Sequence, residues 1–250
     1  MQRFAILTES LAMISLRNRR ILMVSLIIPI VMMILLNLVF QSAGAVEGVS
    51  VAAFTLTGVI VITIMSNGLI SNATGLVSWR ELGVLRRLQA TPLPTWQLIL
   101  TYLLNQLLIT VVGIGILTVV ARIFFNVQIA QSSLLLVAVL VIFGVLVFQA
   151  IGQLLSALAS DTSTVNTIGQ VIYLPLLFLS NLVIPTTKFP GALQGIVHWL
   201  PSYLLVDALR SPLLGNSVSA QMGTDLLGLA AYFIIFLVAS SLLFSWEKKS

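Results

Sequence analysis

Six stretches without a single charged side chain set the terms for this chain: 21–40, 51–70, 98–120, 134–159, 165–184 and 226–244. A helix needs about 20 predominantly apolar residues to cross the hydrocarbon layer of a bilayer. Inside that layer every backbone polar group must be satisfied internally, so a spanning segment of this length is helical. The composition agrees. Hydrophobic residues make up 59% of the 250 residues and charged residues 8%, with a mean hydropathy of +1.12. A soluble domain carries about a quarter charged residues, and this chain has too few polar groups to cover a water-facing surface. The reading is an all-α integral membrane protein with six transmembrane helices in a single domain, 1–250. The fifth stretch is interrupted by Asn166, Gln170, Pro175 and Asn181. The first is too long for a cleaved leader, and no small-residue cleavage site follows it directly.

The absence of cysteine excludes disulfides, zinc-thiolate sites and thiol catalysis. The single His198 cannot build a polyhistidine metal site, and beside Trp199 it reads as an interfacial residue. The basic residues are too few and scattered for nucleic acid. They set orientation instead. Arg3, Arg17, Arg19, Arg20, Arg80, Arg86, Arg87, Lys248 and Lys249 fall on the side that holds both termini, and Arg122, Lys188 and Arg210 on the other. Nine against three places both termini in the cytoplasm.

That rule accounts for the arginines of 80–87 but not for Glu81 between them, since acids contribute little to topology. On a helix over 80–89, Leu82, Val84, Leu85 and Leu88 cover one arc, Arg80, Arg86 and Arg87 lie opposite, and Glu81 falls within the apolar arc. A carboxylate there stays wet or finds a partner, because burying an unpaired charge is costly. Two readings stay open from the residues alone: an interfacial helix with a stray acid, and a docking surface in which Glu81 meets a donor on another subunit.

Residues 185–225 are too long for a tight turn and, with Pro185, Pro190, Pro201 and Pro212, too interrupted for a span. Their two short apolar pieces read as re-entrant or interfacial. Asp207 and Arg210 have the spacing of a helical ion pair, whose plain reading is a surface pair of little energetic weight. Among the polar residues in or near the spans, Asn67, Asn105, Gln106, Gln149, Gln153, Asn166, Gln170 and Asn181 are expected to hydrogen-bond between helices. Gly152 and Ser156 have the small-xxx-small spacing of close helix packing. No ionisable residue lies centrally in any span. A proton- or sodium-coupled carrier normally keeps one, so the pathway is expected to carry an apolar or amphiphilic solute. An intramembrane enzyme would need Ser with His, paired Asp or a metal site within the spans, and none is present.

The stretch RELGVLRRLQATPLPTWQLIL, 80–100, resembles the cytoplasmic-loop signature of ABC-2-type exporter permeases: an acid, a glycine, leucines with basic residues, then Thr-Pro leading into the third span. WLPSYLLVDALR, 199–210, is similar to that family's segment ahead of its last span. The resemblance covers essentially the whole chain. It implies an ATP-driven exporter of a lipid-like, drug-like or lipid-linked glycan substrate, in which two permease subunits, identical or related, associate with two cytoplasmic ATPase subunits in a prokaryotic inner membrane. It also implies an N-terminal interfacial helix at 1–20, a cytoplasmic coupling helix between spans two and three, and an outer re-entrant hairpin at 185–225 ahead of span six and its tail, 226–250. Arg80, Glu81, Gly83, Leu85 and Leu88 would then contact the ATPase, with the turn at Asp161 as a second contact. Phe4, Leu7, Leu11 and Ile14 make one stripe suited to the interfacial helix. The chain has no G-x-x-x-x-G-K-[ST] phosphate loop, so ATP and Mg belong to the partner and the subunit is not an enzyme. The expected substrate path runs between two permeases along spans two and five, past Thr55, Thr63, Asn67, Gln170 and Asn181. The rival reading is a channel or secondary transporter without an ATPase partner.

Overall fold

A computed structural model of the chain describes residues 19–40, 45–46, 49–84, 95–127, 133–184, 186, 189–213 and 220–243. Among these the architecture is all-helical apart from a two-residue antiparallel ribbon, β1 (Ala45–Val46) with β2 (Val49–Ser50). The helices are α1 (Arg19–Phe40), α2 (Val51–Glu81), α3 (Thr95–Phe124), α4 (Leu134–Leu158), α5 (Thr162–Leu179), α6 (Gly191–Val197), α7 (Pro201–Leu213) and α8 (Ala220–Leu243). Five of them, α2, α3, α4, α5 and the Gln221–Leu243 part of α8, are long and apolar enough to cross a membrane. In α1 the described apolar stretch is the shorter Ile27–Phe40. The expected interfacial helix and its Phe4–Ile14 stripe lie outside the described residues.

α2 is the centre of the bundle. Its first half, Val51–Met65, starts where the Ser50 hydroxyl accepts from the Ala53 N–H at 3.3 Å. It is apolar on every side, as a helix enclosed by others must be. It touches α1, α3, α4 and α7. By contrast α1, α3, α5 and α8 turn large apolar side chains outward, among them Val39, Ile123, Val171 and Leu242. That is the surface expected where lipid or a second membrane subunit supplies the contact.

The sequence reading ends the second span at residue 70, and the structure corrects this. The helix passes through a π-helical turn, Ser66–Ser71, and continues through Asn72–Glu81. Residues 71–81 are polar enough to read as a loop, but Asn72, Thr74 and Arg80 each reach a partner on the chain of α4, α5 or the turn between them. The Asn72 amide donates to the Gln149 carbonyl on α4 at 3.1 Å. Gly68 lies so near α4 that a Cβ there would stand 2.6 Å from Phe148 Cβ. The fifth span is also corrected, from 165–184 to Thr162–Leu179. It stops because Asn181 takes φ +58°, the left-handed region, and its side chain accepts from the Thr186 N–H at 3.3 Å.

After α5 the chain forms two short helices, α6 and α7. Their partners were not foreseen. Arg210 is no surface residue: it is 8% exposed, sits 4.3 Å over the Phe54 ring of α2, and donates to the Asn181 carbonyl at 2.9 Å. The Ser180 and Ser202 hydroxyls are hydrogen-bonded to each other. Leu205 of α7 fills the space left by Gly144 of α4. The start of α2, the end of α5 and α7 are thus locked at one end of the bundle.

Candidate coupling site

At the opposite end of the bundle, α4 stops at Leu158, where Ala159 turns extended, and α5 begins three residues on. Asp161 makes that start. Its Oδ1 accepts from the Thr164 N–H at 2.8 Å, and its Oδ2 accepts from the Thr164 hydroxyl at 2.8 Å and the Ser160 hydroxyl at 2.9 Å. This is an N-cap, in which a side-chain oxygen takes one of the four N–H groups a helix leaves unpaired at its start. The Thr164 backbone N–H, then the Thr164 and Ser160 hydroxyls, hold the Asp161 carboxyl below the usual carboxylate range.

The last turn of α2 closes on the same turn of chain. Arg80 is buried, and its guanidinium donates to the Ser156 carbonyl at 3.3 Å and to the Ala159 carbonyl. Glu81 Oε1 accepts from the Thr162 N–H at 3.2 Å. The arrangement complements both helix dipoles: a cation meets the carbonyl end of α4, and two carboxylates, Asp161 and Glu81, meet the N–H end of α5. Adjacent residues of one helix therefore hold the end of a second helix and the start of a third. The Arg80 guanidinium suits this because its planar fork offers several donors at once.

Two sequence expectations are corrected here. Arg80 does not face away from the apolar arc; it is inside. Glu81 does not need a donor from another subunit, because Thr162 of the same chain supplies one. The expected helix over 80–89 is also interrupted at its start. Leu82 donates to the Ser78 carbonyl, Gly83 to the Arg80 carbonyl, and Gly83 takes φ +66°, a conformation suited to glycine at a helix end. This leaves Leu82 66% exposed at the tip of α2. Leu85, Leu88, Arg86 and Arg87 lie outside the described residues. The site thus unites Arg80, Glu81 and Asp161.

The sequence profile of the ABC-2 type transporter family matches residues 2–214. This chain belongs to that family. It is similar to YvfS of Bacillus subtilis, named as a transport permease, at 24% identity over 225 residues, 90% of each chain. It is equally similar to the inner membrane transport permease YadH of Escherichia coli K12, at 24% over 227 residues and 88% of each chain. Nodulation protein J of Rhizobium leguminosarum matches 99 residues at 31% identity, 39% of this chain and 38% of that one.

In this ABC-2 permease the five residues assigned from sequence to a substrate path do not share one surface. Thr55 is buried; its hydroxyl donates to the Val51 and Ala52 carbonyls and accepts from the Asn37 amide at 2.7 Å. Thr63 is buried and donates to the Val59 carbonyl at 2.7 Å. Asn181 is buried in the turn after α5. Asn67 is half-buried in the π-helical turn, and Gln170 is exposed on α5. Spans two and five do meet within one subunit, where Ile70 is the neighbour of Gly169. Arg210 over Phe54 was missed as a structural lock, and Asn72 as a bridge to α4. For Asn72 the signal was available, a lone amide amid small residues within reach of a span.

Proposed function

We propose that this ABC-2 permease is the membrane subunit of an ATP-driven exporter for an amphiphilic substrate, with hydrolysis supplied by separate ATPase subunits that bind ATP and Mg. Two permeases, identical or related, and two ATPases form the complex. Both termini are cytoplasmic in the inner membrane, α1 is the first of six spans, and the Arg80–Glu81 end of the bundle faces the ATPase. The observation that carries this reading is the tie of Arg80 and Glu81 to the α4–α5 turn. A push on the tip of α2 is delivered at once to α4 and α5, so one docking contact moves three spans. Exposed Leu82 is the apolar docking contact, Gly83 lets the chain leave the tip, and Leu85 and Leu88 are further ATPase contacts. Glu81 acts by positioning this tip.

The amphiphile is supported by spans whose centres hold few polar and no ionisable groups. Its path runs between the two permeases past Gln170 and the half-buried Asn67. Thr55, Thr63 and Asn181 support those helices from within.

The test uses the permease co-purified with its ATPase in lipid discs. Leu82→Ser leaves the tie intact and is expected to weaken ATPase co-purification and substrate-stimulated hydrolysis. Glu81→Ala is expected to keep co-purification but lower the transport obtained per ATP hydrolysed. Wild-type coupling in both variants, with expression and unfolding temperature unchanged, would overturn the docking assignment. Hydrolysis by the permease alone would overturn the division of labour, and transport by the permease in the absence of any ATPase would favour a channel or secondary transporter.

A further inference from the structure

The exposed residues of α5 are sorted along its length. In the half nearer the Arg80–Glu81 end they are Ser163, Asn166, Thr167 and Gln170, all polar; in the other half they are Val171, Leu174, Pro175 and Phe178, all apolar. α2 extends the polar half. Asn67, Ser71, Thr74 and Ser78 recur every three or four residues, and each is exposed or half-buried, so they form a row along that helix. The two rows meet where the Thr74 hydroxyl donates to Asn166 Oδ1 at 3.3 Å. Beside that contact Gly169 of α5 lies against Ile70 of α2.

This is not a surface suited to lipid. α5 has 18 residues, about 27 Å of helix at 1.5 Å per residue, and the hydrocarbon layer is about 30 Å thick. The whole helix is needed to cross, so its polar half lies at membrane depth. Hydroxyl and amide groups turned toward acyl chains there lose the hydrogen bonds they make in water. The outward face of α3 shows the contrast, because its exposed Leu104, Leu108, Val112, Ile116 and Val119 are all apolar.

The chemistry of the polar face is neutral. Residues 66–78 and 162–174 include no charged side chain. The charged groups beside them are already engaged. Arg80 is buried on the Ser156 and Ala159 carbonyls, Glu81 accepts from the Thr162 N–H, and Asp161 accepts from the Thr164 N–H. An anionic head such as a phosphate is bound by arginine, lysine or the N–H groups at a helix start, and α5 already gives two of its own to Glu81 and Asp161. A quaternary ammonium head is bound by a cage of aromatic rings. Amides and hydroxyls offer donors and acceptors without charge, which suits hydroxyl or amide groups on a ligand.

We propose that the joined polar rows of α2 and α5 bind the uncharged, hydroxyl- or amide-bearing head of an amphiphile, while its apolar tail lies along Val171, Leu174 and Phe178. This names the substrate class for the path between permeases and rests on that reading. The head is held toward the Arg80–Glu81 end of the bundle and the tail runs toward the end that holds α7.

Binding to the full-length permease in lipid discs, without ATPase, tests this. The chain has no cysteine, so one environment-sensitive fluorophore is placed at Val171→Cys. Three probes share one chain and differ in the head: hexadecyl glucoside, hexadecyl phosphate and hexadecyltrimethylammonium. The expected result is a saturable response to the glucoside alone. Gln170→Leu and Asn166→Leu should each raise its half-saturating concentration about three- to tenfold, the weight of one neutral hydrogen bond. The same fluorophore at Val119→Cys, on the apolar face of α3, should follow partitioning into the disc without saturating. Should Asn166→Leu, which loses the tie to Thr74, fail to fold, Gln170→Leu carries the assignment. Equal affinity for either charged probe, saturation at Val119, or unchanged affinity in Gln170→Leu overturns the proposal. So does a silent reporter at Val171, the result expected if the polar rows only seal against a second permease. Binding that fails while ATP-driven export persists strikes this assignment alone, and export that fails while head binding persists strikes the exporter reading.

Discussion

Gly152 of α4 lies against the backbone of Gly68 in α2, so near that a Cβ on Gly152 would overlap the Gly68 carbonyl oxygen. Gly68 sits in the π-helical turn Ser66–Ser71, where the wider helix brings its backbone onto α4. Small residues permit such approach in a membrane, where packing rather than water drives helix association. Gly152→Ala is therefore expected to push α2 from α4 and cost about 1–3 kcal/mol, read as a lower unfolding temperature. Gly113→Ala in α3, with nothing within 4 Å of the added carbon, is the control and should leave stability unchanged. Equal behaviour of the two would refute the close crossing.

Arg80→Ala removes the donor for the carbonyls of Ser156 and Ala159. Leaving such groups buried and unpaired costs on the order of 1–3 kcal/mol. Arg80→Lys, with a point charge in place of a fork, should fall between wild type and alanine. Thermal unfolding of the three proteins in one detergent gives the ranking. Identical curves would mean that the guanidinium is dispensable to the turn.

Asp161 supplies the pH dependence of the same turn. Its folded-state carboxyl is held below the usual range by Thr164 and Ser160. The stability it adds is complete above the unfolded value of about 3.9 and is lost as pH falls below that, through the lower folded value. Hydrogen exchange at the first turn of α5 should accelerate in that acid window. Asp161→Asn keeps a capping oxygen and should remove the acid dependence; Asp161→Ala should accelerate exchange at neutral pH too.

Orientation is tested by labelling, which the lack of native cysteine makes direct. Cysteines at Ser42 and Ser217 should react with an impermeant reagent from outside the cell, and one at Ser250 should not. Outside labelling at Ser250 would reverse the cytoplasmic assignment of the termini and, with it, the face offered to the ATPase.

How much was legible in the sequence varies with the interaction concerned. The cores of the five helices long and apolar enough to cross a membrane were readable because each is a property of some 20 adjacent residues. The short helices α6 and α7 were readable because Pro190 and Pro201 stand where they begin. The end of α2 was not, since Ser71–Glu81 has too little apolar character to mark it as helix without its partners. Glu81 was recognised as an acid that needed a donor, yet the donor was sought on another chain.

The sequence by itself determined that this chain is a bundle of membrane helices, because the cost of exposing backbone to lipid is decided residue by residue along one segment. Its motifs also pointed to the ABC-2 family. Only the tertiary structure decided what the few polar groups do. Arg80 meets Ser156 and Ala159, 76 and 79 residues away, and Glu81 meets Thr162, 81 residues away. Those partners are chosen by how α2 crosses α4 at Gly68 and Gly152, and no local pattern of hydropathy encodes that crossing.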